Sequence, residues 1–155
     1  MELHSPSFAH GASIPARHTC DGANTSPPLS WSGVPDGARS LALIVDDPDA
    51  PDPKAPKRIW VHWVLYNIPP SLRELPEGGA RSPVPPPARE GLNDSGEPGY
   101  EGPCPPIGRH RYFHTLYALD TMLPDLGHGA TRKQLDAAMQ GHILATAQLM
   151  GTYQR

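Results

Sequence analysis

Three aspartates stand within four residues of one another, at Asp46, Asp47 and Asp49. Carboxylates this close repel one another unless solvent, hydrogen-bond donors or a cation relieve them. Pro48 and Pro51 restrict the backbone around them and remove two amide donors. The pattern predicts a rigid turn, directly after a strand, that presents carboxylates to a partner. The ordinary alternative is a solvated, aspartate-rich turn.

Histidine and tyrosine side chains in two further segments are of types that bind oxyanions. His62 lies in the most apolar stretch of the chain, where an imidazole is unfavourable unless its nitrogens find partners. Period-two alternation places His110 and Tyr112 on one face of their strand and Arg111 on the other. The pair offers an ionisable donor and a hydroxyl to a small anion. The alternatives are a core histidine and a His–Tyr pair that ties a loop to the sheet.

A proline-rich run, residues 102–106 (GPCPP), precedes this pair and predicts a stiff rim with few backbone donors. Cys104 in the run raises the alternative of a thiol nucleophile assisted by His110, but nothing in the sequence indicates an activated thiolate. The potential metal ligands that these motifs supply have no H-x-H or H-x₃-H spacing among themselves; they are Asp47, Asp49, His62 and His110. The chain also lacks a Gly-x-Ser-x-Gly elbow, a phosphate-binding loop and a dinucleotide fingerprint. The sequence therefore predicts no catalytic residue, no metal and no cofactor.

Short apolar segments predict the strands that position these side chains. Strands are expected at residues 41–46 (LALIVD), 58–67 (RIWVHWVLYN), 110–119 (HRYFHTLYAL) and 145–153 (ATAQLMGTY). The second segment is apolar on both faces, which is typical of a strand covered by two layers. Residues 69–108 are rich in proline and glycine and predict a mostly irregular loop. The expected fold class is mainly β.

One helix is predicted near the end of the chain. Thr131 is a good N-cap, and Gln134 three residues later completes a capping box. A stripe at helical spacing is then expected to face the core. Its members are Leu135, Ala138, Met139, His142 and Ile143.

Composition narrows the class of protein. The chain has 155 residues, which predicts a single domain over 1–155, and its net charge of −3 gives no general attraction for nucleic acid. The N-terminal stretch lacks the pattern of a secretory signal, and no apolar run reaches the length of a membrane span. The expected location is the cytoplasm, where Cys20 and Cys104 are expected to be reduced thiols.

Five segments resemble the phosphatidylethanolamine-binding family, most closely its prokaryotic, Raf kinase inhibitor-like branch. DDPDAP (46–51), WVHWVLYNIP (60–69) and GYEGPCPPIGRHRYFHTLYALD (99–120) carry the resemblance. IPARHTCDGANTSPPLSW (14–31) and MQGHILATAQLMGTYQR (139–155) extend it over nearly the whole chain. The resemblance implies a sandwich of a large and a small antiparallel β-sheet with few short helices.

The resemblance also implies a pocket for a small anion or a phosphorylated ligand. The two histidines and Tyr112 are expected to donate to a dianion, while Asp47 and Asp49 orient the imidazoles through their second nitrogens. Affinity is then expected to rise as pH falls toward 6. The ligand-binding residues it implies are Asp47, Asp49, Trp60, His62, Gly102, Pro103, Cys104, Pro105, Pro106, His110 and Tyr112.

Three classes of function fit these residues. The leading interpretation is a binding protein without enzymatic activity, with regulation of a partner kinase or other protein as a further expectation and a homodimer implied by the prokaryotic branch. The second is a hydrolase or lyase that uses His62 and His110 as acid and base, with Asp47 as the orienting group. The third, a surface-acting inhibitor of a kinase or protease, rests on the family resemblance alone.

Overall fold

The computed structural model describes residues 1–78, 85–127 and 129–155, which form eight β-strands, one α-helix and a short 3₁₀ turn. Most of the chain between these elements is loop. The elements are β1 (Glu2–His4), the 3₁₀ turn (Ala16–His18), β2 (Leu29–Ser32), β3 (Ser40–Ala50), β4 (Arg58–Ile68), β5 (Glu74–Leu75), β6 (Arg89–Glu90), β7 (His110–Leu119), α1 (Arg132–Met139) and β8 (Ile143–Tyr153).

The strands form two antiparallel sheets, as predicted. The large sheet has the order β6-β4-β3-β7-β8, and the small sheet has the order β1-β2-β5. Leu43 in β3 pairs with Leu65 of β4 on one side and with Leu116 of β7 on the other. Leu3 and Trp31 of the small sheet are buried in the same apolar core as these leucines. The sandwich is therefore held together by a core between its two sheets.

The prediction that the 58–67 segment is covered on both faces is confirmed. Trp63 and Leu65 lie in the core between the sheets, whereas Val64 and Tyr66 lie in a second core on the other face. Leu135 of α1 is fully buried in that second core. Because the helix covers the outer face of the large sheet, β4 has no solvent-facing side over this length.

The aspartate-rich segment is a strand and not the predicted turn. β3 runs on through Ala50, with its register against β4 shifted between Val45 and Asp46 and again between Asp47 and Ala50. A bulge of this kind bends a strand and turns its side chains to new directions. The sequence misled because aspartate and proline are typical of turns, while an irregular strand end accommodates them equally well.

The capping box at the start of α1 is confirmed. The Thr131 hydroxyl accepts from the amide of Gln134, and the Gln134 side chain accepts from the amide of Thr131. The predicted stripe is right only as far as Met139, where the helix ends. Gly141 has φ +82°, a left-handed conformation that ends helices. The last two members of the predicted stripe therefore lie outside the helix, His142 in a turn and Ile143 at the exposed start of β8.

The stretch between β4 and β7 holds more regular structure than expected. The two-residue strands β5 and β6 interrupt it, and Leu92 and Pro98 form an isolated bridge. Strands this short carry no readable periodicity, which explains why the pattern shows only loop. None of the helices in the described residues has the length and apolar character needed to cross a membrane.

The expectation of two reduced cysteines is wrong. Cys20 and Cys104 form a disulfide, with their Cα atoms 5.4 Å apart and a sequence separation of 84. The expectation came from the inferred compartment, and sequence distance carries no information on which segments the fold brings together.

His114 gives the fold a specific sensitivity to acid. Its side chain is buried in β7 against Phe8, with ring centroids 5.6 Å apart, and burial lowers its pKa from 6.5 to about 4. Above pH 6.5 the ring is neutral in both the folded and the unfolded chain. As pH falls from 6.5 toward 4, only the unfolded chain gains the proton, so stability is lost over that window, by roughly 3 kcal/mol in all.

We therefore expect His114→Phe to flatten the dependence of unfolding free energy on pH between 6.5 and 4. Urea unfolding at several pH values measures it. The matched control is His4→Phe, because His4 is exposed and its removal should leave the slope as in the wild type. Equal slopes for the wild type and His114→Phe would show that another group causes the acid sensitivity.

Candidate functional site

A cavity of about 290 Å³ opens where β3 ends and where β4 and β7 begin. β3 and β4 are antiparallel neighbours, as are β3 and β7, so these three strand ends meet at one edge of the large sheet. The loop before β7 closes one side. The lining residues are Asp47, Ala50, Pro51, Trp60, His62, Glu101, Gly102, Cys104, Pro105, Pro106, His110 and Tyr112.

Nine of the eleven predicted site residues lie in this lining, and two do not. Asp49 is turned away from the cavity, and Pro103 is buried behind the wall. Three lining residues were not predicted, namely Ala50, Pro51 and Glu101. All three lie inside the motifs that carry the family resemblance, and their position in those motifs could have identified them as lining residues.

Asp47 and His110 form a buried pair at the base of the cavity. The His110 Nδ1 lies 2.6 Å from Asp47 Oδ2, and the two side chains are only 1% and 5% exposed. His110 Nε2 lies 2.9 Å from the carbonyl of Ile107, to which it must donate because a carbonyl only accepts. Both ring nitrogens of His110 are therefore engaged within the protein. Its orientation by Asp47 follows the prediction, but neither nitrogen is directed to a ligand.

Asp49 does not orient a histidine, contrary to the expectation. Its carboxylate accepts two hydrogen bonds from the Arg111 guanidinium, at 2.9 and 3.0 Å, and a third from the Arg111 amide. The guanidinium holds the pKa of Asp49 below its usual range. Asp46 pairs with Arg132 on the outer face of the sheet. The predicted repulsion among the three carboxylates is thus relieved by giving each its own basic partner.

His62 presents one nitrogen to the cavity, and that nitrogen is an acceptor. Its Nδ1 lies 2.6 Å from the carbonyl of Glu101, so Nδ1 carries the proton and donates it. Burial lowers the pKa of His62, which leaves the ring neutral and its Nε2 with a free lone pair. A neutral His62 can therefore receive a hydrogen bond from a ligand. It becomes a donor to an anion only when it takes up a second proton.

Tyr112 stands beside His62 and supplies a donor. The two rings meet edge to face with centroids 5.3 Å apart. Burial raises the pKa of the Tyr112 phenol, so the hydroxyl keeps its proton at neutral pH. An acceptor nitrogen and a donor hydroxyl thus lie side by side in one cavity.

The wall formed by residues 100–104 is packed closely against the segment around the 3₁₀ turn. The Tyr100 hydroxyl donates to the His18 carbonyl, and the Gly102 amide donates to Asn24 Oδ1. A Cβ at Gly102 would stand 2.2 Å from the His18 carbonyl oxygen, so only glycine fits. Cys20 adds a backbone hydrogen bond to the Pro103 carbonyl and the disulfide to Cys104.

The lining of the cavity contains no lysine or arginine. None of the twelve lining residues is a permanent cation, and Asp47 and Glu101 are acids. The Arg58 guanidinium lies 4.5 Å from the centroid of the Trp60 ring and pairs with Asp94. Among the described residues, no three His, Cys, Asp or Glu side chains are placed to hold a metal ion.

The structure is a β-sandwich with a cavity at one edge of its large sheet, and known proteins share the fold. The family described as phosphatidylethanolamine-binding protein matches residues 4–154. A UPF0098 protein of Chlamydia pneumoniae is 50% identical over 155 residues, which cover 100% of this chain and 99% of the relative. The chain therefore belongs to the phosphatidylethanolamine-binding protein family.

Two solved structures agree with this assignment. The putative phosphatidylethanolamine-binding protein homologue CT736 of Chlamydia trachomatis has a TM-score of 0.90 and 47% identity, covering 99% of this chain and 97% of its own. Escherichia coli YbcL, described as a new member of the mammalian family, has a TM-score of 0.90 and 33% identity, covering 99% and 98%. The predicted family and sandwich fold are thereby confirmed.

Proposed function

We propose that the chain is a binding protein whose cavity holds a small anion or a phosphorylated ligand without converting it. The observation that supports this most is the pairing of His62 with Tyr112. One imidazole nitrogen is fixed by a backbone carbonyl and the other is open to the cavity, beside a phenol that stays protonated. In such a pair the Tyr112 hydroxyl donates to a phosphate oxygen. The open His62 nitrogen accepts a hydrogen bond from a protonated phosphate oxygen, or donates to an ionised one after taking up a proton.

The lining supports binding over turnover. Cys104 is tied up in the disulfide, so the sulfur considered as a nucleophile carries no thiolate. No serine or threonine is among the lining residues. In the hydrolase or lyase alternative, His62 is the one histidine with a nitrogen open to the cavity, since both nitrogens of His110 are engaged. His62 alone would then serve as base, without the acid partner which that alternative requires.

The proposal makes binding depend on a proton at His62. A bound dianion stabilises the imidazolium, and the free protein has the pKa of His62 lowered from 6.5, so binding takes up a proton. We expect the affinity for sulfate to rise as pH falls from 8 through 6.5. The rise reaches at most about tenfold per pH unit, the value expected when each binding event takes up one full proton. Sulfate is the suitable probe because its own charge is constant over this range. Isothermal titration at several pH values measures the change, and a flat profile would contradict the role of His62.

The direct test is titration with phosphate, phosphoserine and phosphoethanolamine. His62→Gln and Tyr112→Phe should each weaken binding at least tenfold, whereas His4→Gln, at an exposed histidine far from the cavity in the small sheet, should bind as the wild type does. Unchanged binding in His62→Gln would remove the proposed site. Absence of binding to all three ligands would remove the proposed function, while turnover of any of them would favour the enzyme.

Three further proposals go with this one and await their own tests. Regulation of a partner kinase would proceed through the cavity or through a protein surface, and inhibition that survives His62→Gln would indicate the surface. A homodimer would appear as twice the monomer mass in sedimentation. A cytoplasmic location would place the disulfide in a reducing compartment, where such bonds are usually transient or redox-sensing.

A further inference from the structure

We propose that the Cys20–Cys104 disulfide is a thiol-exchange site through which a dithiol reductant loosens the wall of the proposed anion cavity. The effect on ligand binding rests on the proposed function above. The exchange and the change in the wall do not, since they follow from the position and exposure of the bond. Cys20 lies in the loop after the 3₁₀ turn and Cys104 in the loop before β7, so the bond joins two loops that are in contact.

The bond is accessible to an attacking thiolate. Both Cys20 and Cys104 are exposed, although the residues next to them in sequence, Thr19, Pro103 and Pro105, are buried. Exchange requires access to a disulfide sulfur, and exposed disulfides are typically the labile or regulatory ones.

The bond also lies in the wall of the cavity. Cys104 is one of the lining residues, whereas Cys20 belongs to the segment that follows the 3₁₀ turn. The two loops share three further contacts, namely the hydrogen bonds from Tyr100, from Gly102 and from the Cys20 amide described above. The disulfide is the one covalent link among the contacts described between them. Its loss leaves the wall attached by hydrogen bonds that open individually.

The exchange conserves atoms and electrons. A thiolate of the dithiol attacks one sulfur of the pair, forms a mixed disulfide and releases the other cysteine as a thiolate, which takes up a proton. The second thiol of the reductant, after losing its proton, displaces the remaining cysteine. The protein disulfide is reduced to two thiols, and the dithiol is oxidised to a disulfide. A dithiol completes the second step intramolecularly, which is why a dithiol is the reductant proposed.

The direction of the effect follows from preorganisation. With the bond intact, Cys104 and the two prolines that follow it, Pro105 and Pro106, are held in the lining before a ligand arrives. After reduction, part of the binding free energy is spent on ordering this wall, so the reduced protein binds more weakly. We expect a loss of affinity on the order of tenfold, within the usual range of coupling between a regulatory and a binding site.

The test of the wall is hydrogen exchange followed by mass spectrometry, and it needs no ligand. The amides of the wall, at Glu101, Gly102 and Cys104, should exchange faster after dithiothreitol treatment under native conditions, while those of α1 remain unchanged. Cys20→Ser should show the fast exchange with and without reductant, and it leaves Cys104 itself in the lining. Equal exchange in oxidised and reduced wild type would overturn the proposal. So would global unfolding on reduction, since the bond would then be purely structural.

The ligand arm separates this proposal from the proposed function. Phosphate is titrated into the oxidised wild type, the reduced wild type and Cys20→Ser. Weaker binding to the last two, with the wall loosened, supports the switch, whereas equal binding to all three overturns its regulatory role and leaves the anion site standing. If phosphate binds none of them, the proposed function fails, and the exchange data alone decide whether the wall responds to the redox state.

Discussion

Replacing Asp47 by alanine lowers the free energy of unfolding at pH 7 by about 3–5 kcal/mol, the cost of breaking a buried ion pair by removing one partner. The carboxylate is 5% exposed and lies 2.6 Å from His110 Nδ1. The imidazole also faces a second acceptor, since His110 Nε2 lies 2.9 Å from the Ile107 carbonyl. Without Asp47, Nδ1 is left in the interior without its carboxylate partner, and an unpaired buried polar group is strongly unfavourable.

The measurement is urea unfolding followed by tryptophan fluorescence, with the slope compared between variants. The chain offers a matched control in Asp120→Ala. Asp120 pairs with His142 at 2.8 Å, a similar contact chemically, but both side chains are 45% exposed. Exposed pairs contribute roughly 0–1 kcal/mol, so this variant should unfold nearly as the wild type does. If both variants lost the same stability, burial would not be what makes the Asp47 pair important.

Removing the disulfide by Cys20→Ser is the second large effect we expect. The bond closes a loop of 84 residues, and the entropy of a loop of that length corresponds to roughly 4–5 kcal/mol at 25 °C. A domain of ordinary stability, about 5–15 kcal/mol, still folds after this loss, as the redox proposal requires.

The check is the same unfolding experiment on oxidised wild type, reduced wild type and Cys20→Ser. The last two should agree within error, because each lacks the bond and neither changes the apolar core. A steeper denaturant slope is expected for both, since an unfolded chain without the crosslink exposes more surface. A variant as stable as the oxidised wild type would mean that the hydrogen bonds between the two loops already hold them together.

Much of the fold was readable from the sequence because its main elements are long and strongly patterned. β4 is a run of branched and aromatic residues ended by prolines, and α1 begins at a complete capping box. The small sheet was implied only by the family resemblance, because β1 and β5 have three and two residues. Strands of that length are made by tertiary contacts and leave no periodicity in the sequence.

Most residues that line the cavity were predictable from the sequence, but their hydrogen bonds were not. Alternation along β7 correctly separated His110 and Tyr112 from Arg111. The partners of the two aspartates depend on the shifts of register in β3, which no local sequence pattern predicts. Asp49 was therefore predicted to orient a histidine, whereas it pairs with Arg111. The protonated nitrogen of His62 depends on one carbonyl from a distant loop. The sequence thus predicts which groups meet, while their roles follow from geometry.

The order of strands in the large sheet bears on how the molecule assembles. The central strand β3 pairs with β4 directly after it, but its other partner, β7, is far along the chain, with Ile44 opposite Thr115. Such a topology has a high contact order, and we expect refolding on the millisecond-to-second scale typical of β proteins. Cys20 and Cys104 come together only when the loops before β2 and β7 have docked. During synthesis, oxidation of this pair would therefore report that the chain has already found its native topology.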